Sequence, residues 1–132
     1  MSASRRKHQR VSIRVPIHGT LLDSRGKIES DFIGVALDVS LGGLRIESPD
    51  LISNEYIGIS FIDTDNQVAY IKGKMAYSQK TDSGLAHTGL SFQGAEKEKL
   101  DFVVRIMRTY YYRDRSVLPD DNAPMKQDAV GS

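Results

Sequence analysis

The chain has no cysteine and no tryptophan, and four prolines in 132 residues. Without cysteine there are no disulfides and no thiolate metal sites, which suits a reducing cytoplasm. No apolar signal segment opens the sequence, and no apolar stretch approaches the roughly 20 residues that a membrane-spanning helix requires. The expectation is a cytoplasmic chain without a membrane span. Aromatic residues make up 8%, and Phe32, Tyr70 and Tyr77 are scattered. A barrel that stacks single-stranded nucleic acid would display its rings together on strands. His8, His18 and His87 lie at different strand phases with no acidic cluster beside them, so no metal site is expected. The 17 acidic residues include no pair at a recognisable spacing from a nucleophile or base, and no glycine-rich loop precedes a helix. No enzyme is expected from this composition.

Charge is nearly balanced overall but not along the chain. Residues 1–14 contain Arg5, Arg6, Lys7, Arg10 and Arg14 with no acid, so a net charge of +1 divides into +5 there and −4 in the remainder. A protein that binds duplex DNA spreads basic charge over a broad face. Charge gathered at one end favours a small anion over a polymer.

The length allows one domain and a tail, with a core large enough to need no staples. Val11, Ile13, Val15 and Ile17 alternate with polar residues, the period of a half-buried strand, and Pro16 marks an edge or a bend. Asp23-Ser24-Arg25-Gly26 is turn chemistry. Ile33, Val35, Leu37 and Val39 alternate again, Leu44 to Ser48 forms a short third run, and Ile57, Ile59 and Phe61 form a fourth that stops at Asp63-Thr64-Asp65-Asn66. Runs from Val68 to Tyr77 and from Ala86 to Phe92 complete the set. Six short strands at this spacing predict an antiparallel sandwich or barrel. From Ala95 to about Tyr112 the period becomes helical, with Leu100, Val103, Val104, Met107 and Tyr111 as the expected packing stripe and Glu96 and Glu98 in the first turn. Tyr110-Tyr111-Tyr112 divides between core and surface, or presents a partner-binding face.

Two short motifs carry the chemistry. In Arg5-Arg6-Lys7-His8-Gln9-Arg10, planar guanidinium forks suit phosphate oxygens or the O6/N7 edge of guanine; the alternative is a solvated basic arm. In Asp38-Val39-Ser40-Leu41-Gly42-Gly43, a carboxylate suits the guanine N1–H and N2–H₂ edge, a hydroxyl suits phosphate or base, and two glycines let backbone approach closely. The alternative is an ordinary turn in which Asp38 and Ser40 bond only to neighbouring backbone and glycine supplies a positive φ.

The pair, Arg-Arg-x-x-x-Arg at 5–10 and Asp-x-Ser-x-x-Gly at 38–43, resembles the signature of PilZ domains, bacterial receptors for cyclic di-GMP. Thr88-Gly89-Leu90-Ser91-Phe92 is similar to the last barrel strand of that family, and a helix follows, so the resemblance spans roughly residues 5–113. It implies a mainly β fold, a six-stranded antiparallel barrel with a C-terminal helix. Residues 1–10 would form a flexible basic arm, 11–94 the barrel, 95–115 the helix and 116–132 a disordered tail. The ligand would lie across the outer wall, with Arg6 and Arg10 on guanine and phosphate, Asp38 and Ser40 opposite them, and Gly42 and Gly43 shaping the turn. An arginine at position 5 resembles the type that takes an intercalated pair of cyclic dinucleotides, so two molecules per chain are expected. His87 stands where relatives often place an arginine near the ligand and is expected to contact it. An unidentified protein partner, a monomer or weak dimer, and no cofactor beyond the ligand are also expected. Two other readings remain open: a barrel of the same kind that signals through protein contacts alone, and a small barrel that binds single-stranded nucleic acid.

Overall fold

A computed structural model describes residues 9–117, with side chains described as far as 112. The alternating runs form six antiparallel strands: β1 (Val11–Leu22), β2 (Ile28–Val39), β3 (Gly43–Ser48), β4 (Tyr56–Ile62), β5 (Val68–Lys80) and β6 (Ala86–Gln93). A helix, α1 (Glu96–Val117), follows. The strands close into a barrel in the order β1-β2-β3-β6-β5-β4, with β4 returning to β1. Closure removes the free edges that an open six-stranded sheet would present.

Three tight connections are built alike. Asp23 accepts backbone N–H bonds from Arg25 and Lys27 through Oδ1, and Asp63 does the same for Asp65 and Gln67, at 2.8–2.9 Å. Each turn then needs a left-handed residue, supplied by Gly26 at φ 84° and Asn66 at φ 62°. Thr81 closes the third through its hydroxyl on the Leu85 carbonyl oxygen.

The inward sides of the strands supply a core in which Val15, Val39, Leu44, Ile46, Ile57 and Ile59 are fully buried. Pairing between β1 and β4 covers only His18–Leu22, so the half of β1 that contains Pro16 is bonded to β2 alone. Pro16 therefore lies where β1 has a strand neighbour on one side only, the kind of position a strand proline tolerates. Here α1 packs against β1 and β5. Phe102 is its wedge, with ring centroids 5.3 Å from Phe61 and 5.6 Å from Phe92 in edge-on geometry.

Two phases differ from the expectation. On β2 the outward residues are Ile33, Val35 and Leu37, while Gly34 and Ala36 face the core; a bulge between Ala36 and Asp38 then turns Val39 inward. On α1 the packed face is Phe102, Val103, Ile106 and Thr109, with Tyr110 half-buried. Of the expected stripe only Val103 is buried; Leu100, Val104, Met107 and Tyr111 are exposed. Both faces of this helix carry apolar residues, and periodicity alone does not choose between them. No described helix is long and apolar enough to cross a membrane.

Candidate functional site

The bulge in β2 places Asp38 on the outer wall, and register builds the site around it. Ser12 of β1 faces Asp38, Asp38 faces Arg45 of β3, Arg45 faces Gly89 of β6, and Gly89 faces Tyr77 of β5. One cross-strand row thus spans five strands. Its middle is low because Gly89 has no side chain, and the Tyr77 ring lies over the space a Cβ there would take. The result is a cleft of about 530 Å³ lined by Arg10, Asp38, Arg45, Tyr77, Leu90 and Ser91, among others.

Asp38 holds two arginines. Its Oδ1 accepts from Arg10 Nε at 2.7 Å and is also paired with Arg10 Nη2, while its Oδ2 accepts from Arg45 Nε at 2.7 Å. The carboxylate side chain is 11% exposed, against 32% for Arg10 and 34% for Arg45. A carboxylate this sheltered needs compensating charge, and both guanidinium groups reach from it toward the surface. Behind them, Arg45 Nη1 lies 3.1 Å from His87 Nδ1, and His87 Nε2 lies 3.2 Å from Glu47 Oε2. Arginine only donates, so Nδ1 is the acceptor and the ring proton sits on Nε2, donated to Glu47.

Ser40 organises the turn. Its Oγ accepts from the backbone N–H groups of Gly42 and Gly43, both at 3.2 Å, and its own N–H donates to the Gly43 carbonyl oxygen at 2.9 Å. The Gly42 carbonyl oxygen accepts from the Phe92 N–H at 2.9 Å, which ties the turn to β6. Positive φ among the described glycines falls at Gly26, Gly84 and Gly94, so neither Gly42 nor Gly43 is needed for backbone conformation. Gly43 is needed for space: a Cβ on it would overlap the Leu90 carbonyl oxygen.

Of the expected site residues, Arg10 and Asp38 line the cleft, whereas Ser40, Gly42 and Gly43 form the turn after Asp38 and are not among its lining residues. His87 stands one step back, behind Arg45 and outside the residues that line the cleft. Arg5 and Arg6 lie outside the described residues, as does the tail beyond 117. Sequence reasoning missed Arg45, Tyr77 and Ser91. A signal existed for Arg45, since it alternates outward on β3 two residues after Gly43, but only the pairing register places it beside Asp38.

A second groove, of about 580 Å³, separates α1 from the outer side of β4 and β5. Its charges are already engaged. Arg105 donates to Asp63 Oδ2 through Nε at 2.9 Å and Nη2 at 2.7 Å, and Lys72 Nζ sits 4.7 Å from the centre of the Tyr56 ring. The backbone N–H of Gln67 and the Arg105 guanidinium hold the Asp63 carboxyl below its usual range, and the Asp63 bond holds the Arg105 guanidinium above its own. The groove is braced structure, in contrast to the Arg10–Asp38 wall. Among the described residues no group of three His, Asp or Glu side chains is placed to hold a metal ion.

Comparison with known proteins agrees with this architecture. No curated protein matches the chain by sequence. Among solved structures, the chain resembles the PilZ domain with c-di-GMP of YcgR from Escherichia coli at 13% identity and a TM-score of 0.57, covering 86% of this chain and 94% of that one. It also resembles YcgR in complex with c-di-GMP, from the same organism, at 14% identity and a TM-score of 0.53, where it spans 50% of the longer chain. At such identities the likeness is one of fold. The profile of the PilZ domain family matches residues 4–109, and the chain belongs to that family.

Proposed function

We propose that this chain is a bacterial cyclic di-GMP receptor, acting in the cytoplasm, that grips the dinucleotide between the arginine arm and the Asp38–Gly43 turn. The observation that carries the reading is the meeting of Arg10 and Asp38, 28 residues apart in sequence, at the rim of the Tyr77 cleft. Family membership and two structural relatives solved with that ligand support it.

The hydrogen bonds already made on the wall support the following roles. Arg10 spends Nε and one Nη2 proton on Asp38, which leaves three N–H groups for a phosphate or a guanine O6/N7 edge. Asp38, with three of its roughly four acceptor sites on Arg10 and Arg45, keeps one for a guanine N–H. Ser40 uses both lone pairs on the turn, so it meets the ligand as a donor, through its O–H to a phosphate oxygen. The half-exposed Tyr77 ring offers a face on which a base can stack. His87 acts on the ligand through Arg45, whose Nη1 it orients. Arg6 joins Arg10 on guanine and phosphate, and Arg5 admits a second, intercalated dinucleotide. The ligand draws Arg5 and Arg6 onto the wall beside a preplaced Arg10. The composite surface so formed is what a protein partner reads, and no bond in the ligand is broken.

Calorimetric titration of the full chain with cyclic di-GMP, with GTP and a linear dinucleotide as controls, tests this. The expected result is binding at micromolar concentration or tighter, two molecules per chain, and no comparable heat from the controls. Arg10→Ala should weaken binding at least tenfold, since each charge-assisted bond is worth about 1.5–3 kcal/mol. Absence of binding, or unchanged affinity in Arg10→Ala, overturns the reading; a stoichiometry of one removes the role given to Arg5.

A further inference from the structure

The outward side of α1 carries an apolar stripe that the barrel does not use. Phe102, Val103 and Ile106 are buried against the strands, whereas Leu100, Val104, Met107 and Tyr111 are 52%, 42%, 36% and 68% exposed. At 3.6 residues per turn the four lie within about 60° of one another, on the side opposite Phe102 and Ile106. A helix that rests one face on a core puts polar residues on the other. Here the outer residues follow one another by four, three and four positions, the spacing of a coiled-coil seam.

We propose that α1 pairs with α1 of a second copy of this chain, antiparallel, about a two-fold axis passing between Val104 and Met107. In that arrangement Val104 of each copy meets Met107 of the other, and Leu100 meets Tyr111. Charge selects the direction. Asp101, 64% exposed, and the exposed Arg108 flank the same side of the stripe, and the antiparallel register sets Asp101 of one copy beside Arg108 of the other, twice by symmetry. A parallel pair would instead turn Arg108 toward Val103 of the second copy, which is buried in its own barrel contact and offers no charge. The seam is about 16 Å long at 1.5 Å per residue, short for a stable interface, so the dimer is weak. This pairing is independent of any nucleotide.

Sedimentation velocity of the full chain, from about 5 to about 500 μM, tests it. The expected result is a concentration-dependent rise from the 14.7 kDa monomer to twice that mass. Val104→Glu, and separately Met107→Lys, should remain monomeric while keeping native circular dichroism, because both positions are outward. Asp101→Arg and Arg108→Asp should each raise the dissociation constant about tenfold, and the double variant should return it to the wild-type value. A wild-type chain monomeric throughout the range, or dimers that persist in both Val104→Glu and Met107→Lys, overturns the proposal. A double charge reversal that fails to recover overturns the antiparallel arrangement.

Discussion

Replacing Asp38 by alanine tests whether this carboxylate is the keystone of the outer wall. The side chain is 11% exposed and joins β2 to Arg10, at the start of β1, and to Arg45 on β3. A fully buried ion pair broken on one side costs about 3–5 kcal/mol, and an exposed one at most about 1 kcal/mol. Both arginines are about one-third exposed and recover part of their hydration when released. Each partnership is therefore discounted toward the exposed limit, at about 1 kcal/mol, and the loss for Asp38→Ala is about 2 kcal/mol. In a domain of this size that lowers the melting temperature by roughly 10 °C. Urea unfolding at pH 7, in a cycle with Arg10→Ala and Arg45→Ala, separates the two partnerships, each with a coupling of about 1 kcal/mol. Raising salt to about 1 M should reduce but not abolish both couplings. A total loss below about 0.5 kcal/mol, or zero coupling to Arg10 at low salt, would refute the reasoning, because the pairing would then contribute nothing to the stability of the wall.

Gly43→Ala should cost about 3 kcal/mol by urea unfolding, because the new methyl meets the backbone carbonyl of Leu90, which cannot rotate away. Gly26→Ala is the control: nothing lies near its Cβ position, so only its φ of 84° opposes the change, at about 1–2 kcal/mol. Equal costs at the two sites would mean that space at the turn is not the constraint. For the pair bracing α1, Asp63→Asn keeps acceptors for the Asp65 and Gln67 N–H groups but loses the charge that Arg105 binds. Because the Asp63 carboxyl is held below its ordinary value in the fold, its contribution is present above the unfolded value near pH 4 and fades as pH falls through the lower folded one. Melting temperatures from about pH 3 to 7 should show Asp63→Asn less stable at neutrality and converging with wild type below about pH 4; a constant difference would sink the assignment.

The strands were legible because alternation is a local property, and so were the Asp23 and Asp63 turns, where one side chain collects two backbone N–H groups. Phase was harder. On β2 the larger residues Ile33, Val35 and Leu37 suggested the inner face, yet Gly34 and Ala36 occupy it. On α1 two apolar stripes share one helix, and the threonine that belongs to the packed face, Thr109, satisfies itself by donating to the Arg105 carbonyl oxygen at 2.8 Å. A hydrophobic count omits such a residue and so shifts the stripe to the wrong side.

The site divides in the same way. Arg10, Asp38 and Ser40 were legible because their motif spacing is written in the chain, but Arg45 and Tyr77 reach the cleft only through pairing register across β2, β3, β6 and β5. The bulge before Asp38 controls that register. It brings Asp38 and Val39 to opposite sides of the wall, so that Val39 fills the core while Asp38 meets both arginines. Were Leu37 in regular alternation instead of bulged out of the ladder, Asp38 would take the inward phase of Gly34 and Ala36, a carboxylate among Leu44 and Ile46 with no partner. The motif therefore acts through a register irregularity that precedes it. The same irregularity joins the core to the candidate site, since one bulge both turns Val39 into the core and turns outward the carboxylate that organises the wall.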